Sequence, residues 1–188
     1  MKKIIIAIDS FKGCLTSAEA GKAAEKGIKS INPSCHTSVI PIADGGEGLL
    51  DVLITATKGK YITLSAHGPL MKMAKTHYGL SGNGRTAIIE MAAISGLPLV
   101  PIEQRNPMLT TTFGTGELIK DALNKGCRNF IIGIGGSATN DAGLGMLQAL
   151  GFRFLDKSGH TLGTGGQIME AVANIDTCLL YTSPSPRD

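Results

Sequence analysis

The sequence has few of the side chains from which nucleic-acid-binding surfaces are made. It contains no tryptophan, three tyrosines and five phenylalanines, and its formal net charge is +3. Base stacking needs aromatic side chains, and binding of a phosphate backbone needs clustered lysine and arginine, whereas the basic residues here are scattered. We therefore expect no nucleic acid partner.

Cysteine is scarce as well, and four residues lie far apart in the sequence: Cys14, Cys35, Cys127 and Cys178. They form no CxxC pair and have no histidine at ligand spacing, which argues against a zinc site and a disulfide framework. We expect reduced thiols and a cytoplasmic location.

Long apolar runs are missing too. The run Ile4–Ile8 ends at Asp9, which is too short for a signal peptide, and no stretch approaches the roughly 18 apolar residues of a membrane-spanning helix. With 188 residues, 43% of them hydrophobic, the chain has the composition of one or two globular domains. We expect neither export nor a membrane partner.

Three common catalytic motifs are absent: the GxxxxGK[ST] phosphate-binding loop, the GxSxG nucleophile turn and the HExxH metal motif. Glycine, by contrast, is abundant. The 25 glycines gather at the ends of apolar runs, where tight turns or close ligand approach need a residue without a side chain. We therefore expect loops to carry the chemistry.

The first part of the chain alternates strand and helix patterns. Lys3–Asp9 is a β-branched run typical of a strand buried on both faces of a parallel sheet. Thr16 and Glu19 form a capping-box pattern that opens a helix. A strand over Thr37–Ala43 and a helix over Leu49–Thr57 follow, which together predict the start of an open parallel sheet.

The pattern changes near residue 60 to three extended segments separated by glycine- and proline-containing turns, which predicts antiparallel strands. Further on, a Thr-rich turn precedes a helix predicted over Glu117–Lys125. We predict an α/β fold: an incomplete Rossmann-like parallel sheet over residues 1–60, and a second, inserted α/β domain with a mixed sheet over residues 61–177.

The segment 178–188 breaks the composition of everything before it, with no helix or strand pattern. It also resembles the translated read-through of a sequencing-library adapter. We interpret it as a non-native tail and exclude it from the fold. A genuine disordered tail is the alternative.

A glycine-rich loop, residues 133–141, joins an apolar strand to a predicted helix. Such a loop directs backbone N–H groups and the positive end of a helix dipole at one point, which suits a phosphate. Five residues are candidates for phosphate or nucleotide contacts: Gly135, Gly136, Ser137, Thr139 and Asn140. Asp141 could hold a magnesium ion or orient a hydroxyl group. An ordinary strand, turn and capped helix is the alternative.

The same loop also fits a dinucleotide-binding fingerprint. Gly133-x-Gly135-x-x-Ala138 matches its relaxed form, and Asp156 ends the next strand where a ribose-binding acid would lie. The three polar residues 139–141 stand against it, because a helix packs on the sheet there. A nicotinamide-dependent oxidoreductase is therefore the second hypothesis.

Two further loops follow strands at what should be one sheet edge. In the loop Ala43–Gly48, Asp44 could accept a proton from an attacking hydroxyl, while Gly45 and Gly46 admit substrate. Asp44 could instead cap the following helix.

The other loop at this edge is Asp9-Ser10-Phe11-Lys12-Gly13. We predict that Lys12 neutralises a carboxylate or phosphoryl oxygen and that Ser10 contacts substrate. A solvated lysine is the alternative. The Thr-rich stretch Asn106–Glu117 is either a second anion site or a helix cap.

Read together, DSFKG (9–13), ADGGEG (43–48), NPxxTTTxGTGELI (106–119) and GIGGSATND (133–141) resemble the bacterial type I glycerate kinases. The order and spacing are similar, and EMAAISGLPLV (90–100) is similar too. The resemblance covers residues 1–177.

The resemblance implies phosphorylation of D-glycerate by ATP with Mg2+, usually to 2-phosphoglycerate, in a cleft between a Rossmann-like domain and an inserted domain. Glycerate and ATP would be the small-molecule partners, and the oligomeric state stays open. A non-catalytic nucleotide- or sugar-acid-binding module is the third hypothesis. Family members are about twice as long, so we expect this chain to be inactive and only partly stable alone.

Overall fold

The structure is a computed structural model that describes residues 3–177, and the segment interpreted as a non-native tail lies outside the described residues. The first part of the chain contains β1 (Lys3–Ile6), α1 (Ser17–Ile31), β2 (His36–Val39) and α2 (Leu49–Thr57). The middle contains β3 (Lys60–His67), β4 (Met73–Leu80), β5 (Thr86–Glu90), α3 (Ala92–Ser95) and α4 (Phe113–Asn124). The remainder contains β6 (Asn129–Gly133), α5 (Leu144–Leu150), β7 (Arg153–Leu155) and β8 (Asn174–Asp176). The mixture of helices and sheets confirms the α/β class.

β1 and β2 form a parallel pair that is connected by α1. The capping box at the start of α1 is confirmed. The Thr16 hydroxyl accepts a hydrogen bond from the Glu19 N–H at 3.2 Å, and the Glu19 carboxylate accepts one from the Thr16 N–H at 2.8 Å. Both bonds satisfy donors that a helix leaves free at its first turn.

The prediction that the first strand is buried on both faces is wrong for the described chain. Ile5 is 60% exposed, although Ile6 is buried. β1 pairs with β2 alone in the described part of the chain, so its outer edge and one face have no covering element. β2 ends at Val39, four residues before the predicted end at Ala43.

The second sheet has the order β3-β4-β5-β6. The first three strands pair antiparallel, as their glycine-containing turns predict, and β6 pairs parallel with β5 after the α4 crossover. α4 covers one face of this sheet, and the buried core there includes Tyr78, Ile89, Ile94 and Leu118. Each of the buried isoleucine and leucine side chains contributes about 1.5–3 kcal/mol on burial.

α2 packs on the opposite face of this second sheet, where Leu50 and Ile54 contact Ile88. The helix therefore follows the first sheet in the sequence but packs on the second one. The division into domains 1–60 and 61–177 stays a prediction.

α4 begins at Phe113, four residues before the predicted start at Glu117. Two glycines made this segment resemble a turn in the sequence. The structure shows why they lie in a helix: a β-carbon on Gly114 would overlap the His67 carbonyl oxygen, and one on Gly116 would overlap the Met146 carbonyl oxygen. Close helix packing, and not turn geometry, accounts for these glycines.

The helices found between residues 3 and 177 include none with the length and apolar character needed to cross a membrane.

Candidate active site

Two glycine loops that lie far apart in the sequence touch each other in the structure. The Gly135 N–H donates a hydrogen bond to the Gly45 carbonyl oxygen at 3.2 Å. A β-carbon on Gly135 would lie 2.7 Å from the Gly46 Cα atom, which is closer than atoms can pack. The loop after β2 and the loop after β6 therefore converge, and the contact leaves no room for a side chain at position 135.

Asp44 and Lys12 face each other beside this contact. The Lys12 Nζ atom lies 4.0 Å from Asp44 Oδ2, and their side chains are 74% and 57% exposed. Asp44 Oδ1 accepts a hydrogen bond from the Gly46 N–H at 3.0 Å. An exposed ion pair contributes only about 0–1 kcal/mol to stability, so this pair adds little to the fold. Its exposure leaves both side chains accessible to a ligand.

Ser17 brings the loops that follow β1 and β2 together. This buried hydroxyl donates to the Ile8 carbonyl oxygen at 2.6 Å and accepts a hydrogen bond from the Ile42 N–H at 3.0 Å. The same residue begins α1, so the start of this helix fixes both loops. Ser10 lies just beyond, and its N–H donates to Asp9 Oδ1 at 2.7 Å.

The loop 133–141 is held by its own hydrogen bonds. The Ser137 hydroxyl accepts from the Thr139 N–H at 3.2 Å, the Thr139 hydroxyl donates to the Thr110 carbonyl oxygen at 2.7 Å, and the Asn140 N–H donates to the Pro107 carbonyl oxygen at 3.1 Å. Several donors predicted to bind phosphate are thus already used within the protein. Gly136 is exposed and has a φ of +74°, a backbone conformation that favours glycine.

Glu90 is a site residue that the sequence reasoning missed. It ends β5, is 9% exposed, and lies beside Gly133 in the sheet register. Its carboxylate accepts a hydrogen bond from the Leu50 N–H at 3.3 Å, at the start of α2, where the N-cap residue Gly48 provides no side chain. Glu90 thereby caps a helix 40 residues away and holds the loop after β2 on the second sheet.

The pKa of Glu90 is raised above its usual value, chiefly because burial disfavours its charged form. The nearby charges of Asp51 and Glu47 raise it further, while hydrogen bonds from the Leu50 and Gly48 N–H groups lower it. No local pattern in the sequence pairs this residue with α2.

Asp141, the predicted magnesium ligand, lies in a buried network of hydrogen bonds. It is 1% exposed, and its two oxygens accept hydrogen bonds from the N–H groups of Thr112, Gly143 and Gly145. Within residues 3–177 no group of three or more histidine, cysteine, aspartate or glutamate side chains could hold a metal ion.

The dinucleotide hypothesis is wrong on topology. A dinucleotide fingerprint requires the strand with the ribose-binding acid to lie in the parallel sheet. β7, which precedes Asp156, instead pairs antiparallel with β8 in a separate sheet. The Asp156 carboxylate accepts hydrogen bonds from the N–H groups of Ser158 and His160, so it stabilises its own turn.

Comparison with known proteins identifies relatives of this chain. The model of the glycerate kinase family matches residues 4–184, which reaches into the segment interpreted as a non-native tail, so that interpretation stays a prediction. A glycerate kinase of Bacillus subtilis is 54% identical over 93% of this chain and 46% of its own length. A glycerate 2-kinase of Escherichia coli is 49% identical over the same shares.

Among solved structures, one from Salmonella typhimurium LT2 described as a glycerate kinase 2 superposes with a TM-score of 0.79 at 48% identity, over 93% of this chain and 47% of that one. The chain thus spans about half the length of the curated relatives it matches. On the extent of the family match and the identity to these relatives, the chain belongs to the glycerate kinase family.

Proposed function

We propose that the complete gene product, a protein about twice the length of this chain, phosphorylates glycerate with ATP in the cytoplasm. The observation that carries the proposal is the contact between the glycine loops after β2 and β6, with Lys12 and Asp44 exposed beside it. Glycerate as the substrate is supported by the names of the relatives that align with 93% of this chain. The product is 2-phosphoglycerate.

The chemistry is in-line attack of a glycerate hydroxyl oxygen on the γ-phosphorus of ATP. A new oxygen–phosphorus bond forms, the bond between the γ-phosphorus and the bridging oxygen breaks, and ADP leaves. Asp44 takes the proton of the attacking hydroxyl. Lys12 neutralises the charge of the glycerate carboxylate or of the transferred group.

The remaining contacts follow from the loops. Ser10, Gly45 and Gly46 line the glycerate side, and the loop from Gly135 to Asn140 lines the phosphate side, where Gly136 is exposed. The glycines let the ligand approach the backbone closely, and the Ser137 and Thr139 hydroxyls hold the loop in shape. Mg2+ bound with ATP would neutralise phosphate oxygens.

The test is an assay of the complete gene product with ATP, Mg2+ and D-glycerate. ADP release is followed by a coupled assay, and 31P NMR distinguishes 2-phosphoglycerate from 3-phosphoglycerate. Thermal shifts with ATP–Mg2+, glycerate and NADH add a binding readout, because ligands of the native state raise its melting temperature. Shifts with ATP and glycerate but no ADP release would instead indicate a non-catalytic binding module.

Gly135→Ala is expected to lower kcat/KM of the complete gene product by roughly 10–100-fold, because the new β-carbon meets the backbone of Gly46 and forces the two loops apart. Steady-state kinetics measure the effect. Gly27→Ala is the matched control. Its β-carbon has nothing within 4 Å, so activity should not change and the α1 helix should be slightly stabilised. Equal kinetics for Gly135→Ala and the parent would contradict the role of the loop contact.

Glu90→Gln is expected to remove a pH dependence of stability. Because the pKa of Glu90 is raised in the folded state, folding favours the protonated form, so the stability of the parent falls as pH rises from 4.5 through the raised folded value. Glutamine has no such titration. The free energy of unfolding of the complete gene product is measured against pH for both proteins.

Across that pH window, the free energy of unfolding of the parent should fall relative to that of Glu90→Gln. At higher pH the difference between the two proteins should be constant. Glu103→Gln, at an exposed glutamate, is the control and should track the parent. A constant difference between parent and Glu90→Gln at all pH values would show that burial of Glu90 does not perturb its ionisation.

A further inference from the structure

Asp141 is the most completely hydrogen-bonded acidic side chain beside the proposed site. Its oxygens accept from the Thr112 N–H at 2.8 Å, the Gly143 N–H at 3.0 Å and the Gly145 N–H at 3.2 Å. They also accept from the Thr112 hydroxyl at 2.9 Å and the Thr111 hydroxyl at 3.3 Å. A carboxylate accepts about four hydrogen bonds, so these donors saturate it.

These donors come from two separate segments. Thr111 and Thr112 precede α4, whereas Gly143 and Gly145 lie at the start of α5. Gly145 has no room for a side chain, since a β-carbon there would overlap the Thr111 hydroxyl and lie 2.9 Å from Asp141 Oδ2. Asp141 is therefore the junction between the Thr-rich turn and α5.

The Thr-rich turn in turn holds the glycine loop. The Thr110 hydroxyl donates to the Ala138 carbonyl oxygen at 2.8 Å, and the Thr139 hydroxyl donates to the Thr110 carbonyl oxygen at 2.7 Å. The Ala138 N–H donates to the Ser95 carbonyl oxygen at 2.9 Å. Residues 138–141 are thus fixed from one side by the turn and at their end by Asp141.

The Thr112 hydroxyl completes the junction. It donates to Asp141 and accepts a hydrogen bond from the Met146 N–H at 2.9 Å, in the first turn of α5. Both residues are buried, with Thr112 at 5% and Asp141 at 1% exposed. A metal ion bound by Asp141 would have to displace N–H donors that have no other partner within residues 3–177, and a buried unpaired donor is costly.

We infer that Asp141 is a positioning residue that sets the shape of the loop 133–140, and that it is not a ligand of magnesium. The predicted effect on kinetics rests on the proposed function. The structural part of the inference stands on the hydrogen bonds of Asp141 and Thr112 alone.

Kinetics of Asp141→Asn in the complete gene product test the inference. The asparagine amide places a donor against N–H donors, so the loop should shift and kcat should fall by roughly 100-fold. The Mg2+ concentration for half-maximal activity should stay within about twofold of the parent. Asp156→Asn, in an exposed turn whose carboxylate also accepts from backbone N–H groups, is the control and should keep the parent kcat.

Thr112 variants keep the test decisive where Asp141→Asn does not fold. Thr112→Val removes the bridging hydroxyl, and Thr112→Ser keeps it. Hydrogen exchange of the amides in 133–140 should speed up by roughly tenfold in Thr112→Val and stay near the parent rate in Thr112→Ser. This readout needs no turnover, so it also decides the structural part where the parent does not phosphorylate glycerate.

A rise of tenfold or more in the Mg2+ requirement of Asp141→Asn would overturn the inference, because it would identify Asp141 as a metal ligand. Equal exchange rates for Thr112→Val and Thr112→Ser would overturn it as well, since the junction would then not shape the loop.

Discussion

Replacing Asp44 by asparagine in the complete gene product is expected to lower kcat by roughly 10²–10⁴-fold, the usual contribution of a general base. Asparagine keeps the oxygen that accepts the Gly46 N–H hydrogen bond, so the turn of the loop is preserved. What it loses is the negative charge and the basic oxygen that faces Lys12 at 4.0 Å. The loss therefore reports proton transfer and charge, and not the fold of the loop.

The control for this prediction is Asp51→Asn. Asp51 is an exposed carboxylate in the first turn of α2 that accepts a hydrogen bond from the Tyr61 hydroxyl. Its replacement should leave kcat unchanged. The melting temperature of Asp44→Asn should match the parent, because exposed ion pairs add little stability. A kcat within about threefold of the parent would remove Asp44 from the chemistry.

This chain alone, residues 1–188, is expected to show no measurable turnover of ATP with glycerate, and this is the second large effect. Large apolar side chains of the described part lie open to solvent, with Ile134 at 75%, Ile5 at 60% and Phe11 at 56% exposed. They flank the loops of the proposed site. Exposed apolar surfaces of this kind are usually covered by another part of the protein.

The measurement compares the chain with the complete gene product in three assays: ADP release with glycerate, thermal unfolding and binding of an apolar fluorescent dye. We expect a broad unfolding transition and strong dye binding for the chain alone. Adding the remaining half as a separate polypeptide should sharpen the transition. Cooperative melting together with turnover by the chain alone would show that the described half is sufficient.

Features with strong local signals could be predicted from the sequence. The capping box of α1, the helix Leu49–Thr57 and the antiparallel strands β3 to β5 were predicted and are confirmed. Neighbouring residues determine the geometry of the capping box and of the strand turns, through a side-chain cap or a glycine turn. The contact between the loops after β2 and β6 joins two different sheets, and only the resemblance to a family with a cleft between two domains implied it.

Features that depend on distant partners could not be predicted. Glu90 caps a helix 40 residues earlier in the chain, and no spacing rule links the two. Asp141 has the residue type of a metal ligand, and only the surrounding N–H donors show that it is saturated. The helical glycines of α4 have the composition of a turn, and tertiary contacts decide their conformation.

The dinucleotide hypothesis failed for a related reason. The spacing from Gly133 to Asp156 fits the fingerprint, but the fingerprint carries its chemistry only when the two strands are parallel neighbours. The pairing of β7 with β8 is a property of the whole fold. The spacing of these residues in the sequence does not reveal that pairing.

A crystal structure of the complete gene product with a non-hydrolysable ATP analogue and glycerate tests the central claim most directly. We predict that the triphosphate lies against the contact between Gly46 and Gly135, with the glycerate carboxylate or γ-phosphate within hydrogen-bond reach of Lys12 and a glycerate hydroxyl within reach of Asp44. A triphosphate bound away from both glycine loops would contradict the account.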